Sequence, residues 1–105
     1  MRGEIWTMRD DLHASKARPV VIIQSDKVSG FDSVVLCLLT TYDSSGIPTR
    51  VRVEPTMRNG LEKTSYVMTE KIASVSRAML GKRIGVLEEE AMHEVSERLR
   101  VVLGL

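Results

Sequence analysis

Cysteine is nearly absent from this chain of 105 residues: there is one, Cys37, and so no internal disulfide. It lies in the apolar run VVLCLL, the setting of an inert buried thiol and not of a nucleophile. Aromatic residues are almost as scarce, one Trp, two Tyr and one Phe. That is too few for the broad stacking platform on which many proteins hold single-stranded nucleic acid. No apolar run approaches the roughly 20 residues needed to span a bilayer, so no membrane partner is expected. The N-terminal MRGEIWTMRDD lacks the apolar core of a secretion signal and is read as the mature start. Two histidines, His13 and His93, with no cysteine or acidic cluster at ligand spacing, argue against a metal site. The six methionines are scattered, and Met79 and Met92 read as core filler, not as part of a cofactor box. Together these absences predict a cytoplasmic protein without metal or cofactor.

What is present is an ordinary globular composition, 43% hydrophobic and 28% charged, in a chain long enough for one core and too short for two. A single domain over residues 1–105 is expected. The net charge of +1 hints at no partner, but its distribution is uneven. Residues 88–105 hold 2 Arg against 5 Glu, net −3, which leaves 13 Lys/Arg against 9 Asp/Glu, net +4, in the rest. A mildly basic body with an acidic appendage is compatible with a polyanion ligand without requiring one.

Hydrophobic periodicity divides the chain cleanly. Glu4–Met8 alternates polar and apolar residues and predicts a strand; Arg9–Ala17 is polar and predicts a loop. Pro19 holds Arg18 extended, and the β-branched VVII that follows predicts a central strand at about 18–24. Ser33–Thr41 predicts a second apolar strand, ended by the turn signal Asp43-Ser44-Ser45-Gly46. Thr49–Glu54 has the strict alternation of a strand with one wet face. After the Asn59-Gly60 turn, Ser65–Thr69 predicts a strand, kinked and continued through Ile72–Val75. A helical turn at Ser76–Leu80 and a short strand at Arg83–Val86 follow. Finally Leu87, Ala91, Val95, Leu99 and Val102, joined by Met92 and Leu103, form a stripe at helical spacing over about 88–103. Glu88–Glu90 suit its N-terminal end, Arg98 and Arg100 the other, and Gly104 ends it. Five or more short strands and one amphipathic helix imply a mostly β fold: a small curled sheet or barrel over about 1–87 with the helix packed on it.

Several of these segments resemble, in order, the MazF/PemK (Kid) toxins. They are RGEIW at Arg2–Trp6, RPVVIIQSD at Arg18–Asp26, the apolar strand ending in Thr40-Thr41, and IPTRVRVE at Ile47–Glu54. They continue with NGL at Asn59–Leu61, SYVMTEKIASV at Ser65–Val75, and LGKRIGVL before the final helix. No single piece is diagnostic; their order and spacing over about 100 residues carries the resemblance. It implies an SH3-like barrel with a C-terminal helix, a two-fold dimer, and sequence-selective cleavage of single-stranded RNA restrained by a co-encoded antitoxin.

Metal-independent RNA cleavage needs a proton taken from the 2′-hydroxyl, charge held on the phosphorane, and a proton given to the leaving 5′-oxygen. The resemblance implies that Arg18 is catalytic, and a planar guanidinium suits charge holding because it binds two phosphate oxygens at once. An arginine is an awkward proton donor, its ordinary pKa lying above about 12. Thr40 matches the family's catalytic threonine; Thr41 points to the opposite face of a regular strand, so only one of the pair can join Arg18. Some relatives use an acidic residue in the strand that corresponds to SYVMTEKIASV, where Glu70 stands as candidate base. Where those relatives carry an arginine two residues earlier this chain has Met68, which shifts weight onto Arg18. His13, in a first loop shorter than in relatives, is a candidate for proton transfer or RNA contact, with a histidine's ordinary pKa near 6.5. Lys16, Thr41, Tyr42, Arg50 and Lys71 are further RNA-binding candidates, with Arg9, Lys27 and Arg52 as additional surface cations. Tyr42, beside the threonines, is the stacking candidate, and Trp6 is expected in the core or in a dimer contact. The alternatives are a CcdB-type gyrase-inhibiting toxin on the same fold and a non-catalytic SH3-like binding module. The first depends on a tryptophan near the end of its last helix, whereas this chain ends VVLGL.

Overall fold

The computed structural model describes residues 1–9 and 17–105, arranged as six strands and one long helix. The strands are β1 (Glu4–Arg9), β2 (Ala17–Ile22), β3 (Ser33–Thr40), β4 (Arg50–Val53), β5 (Ser65–Ser76) and β6 (Leu80–Val86). The helix α1 covers Glu89–Leu103, and a single 3₁₀ turn, Arg77–Met79, joins β5 to β6. The strands form one antiparallel sheet in the order β4-β5-β3-β2-β1-β6. The mostly β architecture with a C-terminal helix is as the periodicity predicts. The curled sheet is not a barrel closed by strand pairing, however: β4 and β6 are its two edges.

Alternation gives the sheet two apolar faces. On the inner face Ile5, Val21, Cys37, Leu39, Val51, Val53 and Val67 pack with Leu87, Val95 and Leu99 of the helical segment. The expected helical stripe is therefore the one that docks, although its last member, Leu103, lies exposed. On the outer face Val20, Ile22, Val34 and Leu36 are buried beneath half-buried Trp6, Met8, Leu38, Ala73, Val75 and Leu80. Apolar residues on both faces explain why β2 and β3 read as nearly continuous hydrophobic runs.

The kink expected in the fifth strand is a large bulge. Val67 pairs with Leu39 and Ile72 with Cys37, so residues 68–71 stand against Leu38 alone. Extra residues on one side of a ladder bend the strand and re-aim its side chains. Beyond the bulge, β5 continues along β3 as far as Ser33↔Ser76.

The open edges are joined by a tight turn at Thr56–Gly60 and not by a ladder. Asn59 is fully buried and spends both ends of its amide there. Its Oδ1 accepts from the backbone N–H groups of Thr56 and Leu61, both at 3.0 Å. Its Nδ2 donates to Glu54 O at 2.9 Å and to the Glu88 carboxylate at 3.0 Å. The turn thus grips the end of β4 and the residue preceding α1, while Val86 N–H donates to Arg58 O at 2.9 Å from the edge of β6. Two glycines permit this approach. A Cβ on Gly60 (φ +68°) would lie 2.0 Å from Ile84 O, and one on Gly85 would lie 2.4 Å from Arg58 O.

Gly60→Ala is expected to cost about 2 kcal/mol or more, combining a left-handed backbone with a collision against a carbonyl. Gly30→Ala, at φ +88° with no atom within 4 Å of the added carbon, should cost about 1 kcal/mol. Urea titrations of the two variants with equal results would contradict this account.

Glu88 generates a pH dependence. Burial raises its pKa, but hydrogen bonds from Thr56 and Asn59 outweigh that and hold it below its ordinary 4.5. The folded state then binds fewer protons than the unfolded state in this range. Its contribution is therefore complete above the ordinary carboxylate range and is lost as pH falls through the lowered folded value. Acid titration of the thermal midpoint should show this loss from about pH 4.5 downward, with a shallower slope in Glu88→Gln.

Candidate active site

The site builds from the register of the strand ends. Met8 pairs with Arg18 across β1 and β2. Val20 pairs with Leu38 at the last rung between β2 and β3, and Arg18 and Thr40 lie two residues beyond it on their strands. Thr40 pairs with Tyr66, and Tyr66 with Arg52. Directly opposed residues of an antiparallel ladder share a face. Alternation from Val20 and Leu38 puts Arg18 and Thr40 on the outer face, so Met8, Arg18, Thr40, Tyr66 and Arg52 form a row along its strand ends. Arg18 is exposed near the start of β2, and Thr40 is half-buried at the end of β3.

The turn after β3 sets the Thr40 hydroxyl. Its oxygen accepts from the Tyr42 backbone N–H at 3.1 Å, which leaves the hydroxyl able to donate. Ser44 Oγ donates back to Tyr42 O at 2.8 Å. Asp43 accepts from Ser45 N–H at 3.1 Å, from Ser45 Oγ at 2.8 Å and from the Tyr66 hydroxyl at 3.0 Å. The two Ser45 bonds, then the Tyr66 bond, hold the Asp43 carboxyl below the usual carboxylate pKa. Burial first, and then Asp43, push the Tyr66 phenol up. Tyr66 thus remains a neutral donor that ties the turn to β5. Neither Tyr66 nor Asp43 stands out in the sequence. The signal that could have found them is the even-numbered alternation from Tyr66, combined with a pairing register that only the fold supplies.

Glu70 is not a free carboxylate. Arg50 donates to its Oε2 through Nε at 3.0 Å and Nη2 at 2.8 Å, and Thr49 Oγ1 donates to Oε1 at 2.8 Å. Burial pushes its pKa up, but the Arg50 bonds and then its own backbone and Thr49 bring it below the ordinary value. That keeps Glu70 ionised and makes it a weak base. Arg50 is equally committed: its Nη1 donates to Ser44 Oγ at 2.9 Å, and its side chain is only 15% exposed. As an RNA-binding cation Arg50 would first have to break that pair; Arg52 is paired too, with Glu54 at 2.7 Å, but its side chain is 62% exposed. Met68 lies directly across from Arg50.

Of the remaining candidates, Thr41 and Tyr42 are exposed at the rim, and Lys71 is exposed on the β5 bulge next to Glu70. His13 and Lys16 lie outside the described residues. His93 is exposed on the polar face of α1, and Cys37 is buried, its thiol pushed up to about 12, first by burial and then by the charge of Glu70. Among the described residues no group of three or more His, Cys, Asp or Glu could hold a metal ion. No described helix is long and apolar enough to cross a membrane.

A curled antiparallel sheet with one docked helix and an arginine–threonine row at its strand ends defines a small class of proteins, and comparison with known proteins agrees. Residues 1–103 match the family model of the PemK-like, MazF-like toxin of type II toxin–antitoxin systems. The chain belongs to this family. It is 37% identical to the probable endoribonuclease MazF of Mycolicibacterium smegmatis over 105 residues, covering 99% of this chain and 96% of that protein. It is 30% identical to endoribonuclease EndoA of Bacillus subtilis over 90 residues, covering 84% and 77%. Among solved structures it superposes at a TM-score of 0.85 on a mycobacterial endoribonuclease in complex with its cognate antitoxin. The two chains are 26% identical, with 100% of this one and 95% of that one covered.

A double-mutant cycle on Arg50→Ala and Glu70→Gln should give a coupling of roughly 1 kcal/mol, since the pair is bidentate but partly solvated. Additive losses in thermal denaturation would show that the pair is not a structural unit.

Proposed function

We propose that this chain is a toxin endoribonuclease that cleaves single-stranded RNA at short specific sequences, using Arg18 and Thr40 and no metal. The observation that carries the reading is an exposed guanidinium on the same sheet face as a hydroxyl whose oxygen already accepts a backbone bond, which supports its use as a donor. In the reaction the substrate 2′-oxygen bonds to the adjacent phosphorus, the bond from phosphorus to the 5′-oxygen breaks, and one proton moves from the former oxygen to the latter. Arg18 binds the non-bridging oxygens as charge collects on them. Thr40 donates a third hydrogen bond to the same phosphoryl group. Glu70, ionised and held by Arg50 and Thr49, is the carboxylate offered for the proton, and its lowered pKa limits it as a base. That leaves most of the rate enhancement with Arg18 and Thr40. Tyr42, Thr41 and Lys71 flank the row as RNA contacts, and Arg52 extends it.

The oligomer follows from the same face. Arg18 and Thr40 lie at the rim of the half-buried outer cluster that contains Trp6, Met8 and Leu38. A second copy covering that cluster would bury it and wall the row, giving a cytoplasmic homodimer with a groove for RNA. The same groove is then the surface that a cognate antitoxin would obstruct, and a mycobacterial endoribonuclease of the same fold is solved in complex with its antitoxin.

Incubation with a mixed-sequence RNA in EDTA should yield discrete cuts. Arg18→Ala should reduce the rate by about 100-fold or more and Thr40→Val by about 10-fold or more, both with unchanged thermal midpoints. Intact RNA with wild-type protein, or full activity in Arg18→Ala, would defeat the reading; intact RNA with arrested gyrase would favour the CcdB-type alternative.

A further inference from the structure

The Thr40 hydroxyl sits at one end of a chain of hydrogen bonds that begins on the β5 bulge. Its oxygen accepts from the Tyr42 backbone N–H, so the main chain at Tyr42 selects the Thr40 rotamer. That main chain is gripped from behind by Ser44, which is only 2% exposed. Ser44 Oγ donates to Tyr42 O at 2.8 Å and accepts from Arg50 Nη1 at 2.9 Å. Arg50 also donates through Nε and Nη2 to Glu70, which the bulge carries. Thr49, next to Arg50, donates to the other Glu70 oxygen, and its own carbonyl accepts from the fully buried Thr69 hydroxyl. The backbone adds Ile47 N–H to Ser44 O at 2.8 Å and Arg50 N–H to Ile47 O at 3.1 Å. The path from the bulge to the hydroxyl thus runs through Glu70, Arg50, Ser44, Tyr42 and Thr40.

We propose that Ser44 is a positioning residue for RNA cleavage: it fixes the Tyr42 main chain and through it the Thr40 hydroxyl, and the Arg50–Glu70 pair holds it to that task. This rests on the reading in which Thr40 donates to the phosphoryl group. Three observations support a role beyond ordinary turn packing. A buried hydroxyl that both donates and accepts is not free to rotate, because rotation would strand two partners. Acceptance from a cation strengthens the bond that the same hydroxyl donates, so Arg50 tightens the grip on Tyr42 O. The position also separates Ser44 from the other tie on this turn, the Tyr66–Asp43 bond. Tyr66 lies on the outer face with the row, whereas Ser44 is buried and can act only through its neighbours. Glu70 thereby has a second task that needs no proton transfer, since it orients the guanidinium that holds Ser44. Misplacing a reacting group by about 1 Å can cost about 100-fold in rate, so a hydroxyl left to change rotamer is a serious loss.

The test places Ser44→Ala in the full chain, alone and together with Thr40→Val, and follows cleavage of one defined RNA. Ser44→Ala should lower kcat about tenfold and leave KM within about twofold of wild type. In the Thr40→Val background, where no hydroxyl is left to place, adding Ser44→Ala should change the rate by less than about twofold. Arg50→Lys keeps a cation for Glu70 and loses the fork that also reaches Ser44. Its loss should vanish in the same background, and it carries the test if Ser44→Ala lowers the thermal midpoint. A second measurement needs no cleavage. In nuclear magnetic resonance spectra of the free protein, the Tyr42 amide proton should move upfield in Ser44→Ala and acquire the temperature coefficient of a solvated amide. Intact RNA with wild type would defeat the enzymatic reading, and the amide signal would still decide whether Ser44 holds Thr40. Losses that multiply in the double variants, or a Tyr42 amide unchanged by Ser44→Ala, would overturn the assignment.

Discussion

The fold depends on one buried amide. An antiparallel sheet that curls without pairing its edges needs another device to keep those edges together, and Asn59 supplies it. Its two acceptor bonds shape the Thr56–Gly60 turn, and its two donor bonds reach Glu54 at the end of β4 and Glu88 at the start of the helical segment. A polar side chain without solvent access is tolerated because every bond it can make is made. The adjoining Gly60 and Gly85 let the turn lie against β6 at distances that no side chain would permit. The inner core and the docked helix follow from this closure.

The chemistry of the site follows from strand alternation at the place where β2 begins and β3 ends. Arg18, Thr40 and Tyr66 lie on the outer face, and their neighbours Pro19, Thr41 and Ser65 on the inner one. A bulge in β5 then takes Glu70 and Lys71 out of the regular ladder and brings the Glu70 carboxylate within reach of Arg50 and Thr49. The guanidinium of Arg50, on the strand opposite Met68, is spent on Glu70. Arg18, by contrast, is exposed.

Much of this was legible in the sequence. The extents of β1, β3, β4 and α1 match their hydrophobic periods to within a residue or two, because burial on one face or both dictates where apolar residues fall. The kink in β5 was visible as an interruption of that period. What periodicity does not encode is pairing register, and the unforeseen site residues depend on register. Tyr66 and Asp43 meet across 23 positions of sequence, and Arg50 meets Glu70 across 20. Arg50 and Arg52 are identical in local pattern, yet Arg50 is held in a half-buried bidentate pair with Glu70 and Arg52 in an exposed pair with Glu54. Closure of the sheet by a side chain and not by a ladder is likewise a matter of tertiary geometry. Asn59-Gly60 looks from the sequence like any surface turn.

That dipeptide carries a chemical consequence. Asparagine followed by glycine is the sequence most prone to deamidation, because the glycine amide nitrogen can attack the side-chain carbonyl and close a succinimide ring. In the folded chain both reactants are occupied: the Gly60 N–H is bonded to Thr56 O, and the Asn59 carbonyl oxygen accepts two backbone bonds. Ring closure thus waits on unfolding of the turn. Each aspartate it leaves behind would then set a carboxylate against Glu88, and refolding would be opposed at the residue that holds the sheet edges together. Ageing of this protein is therefore gated by its own stability, with damage accumulating in the molecules that open.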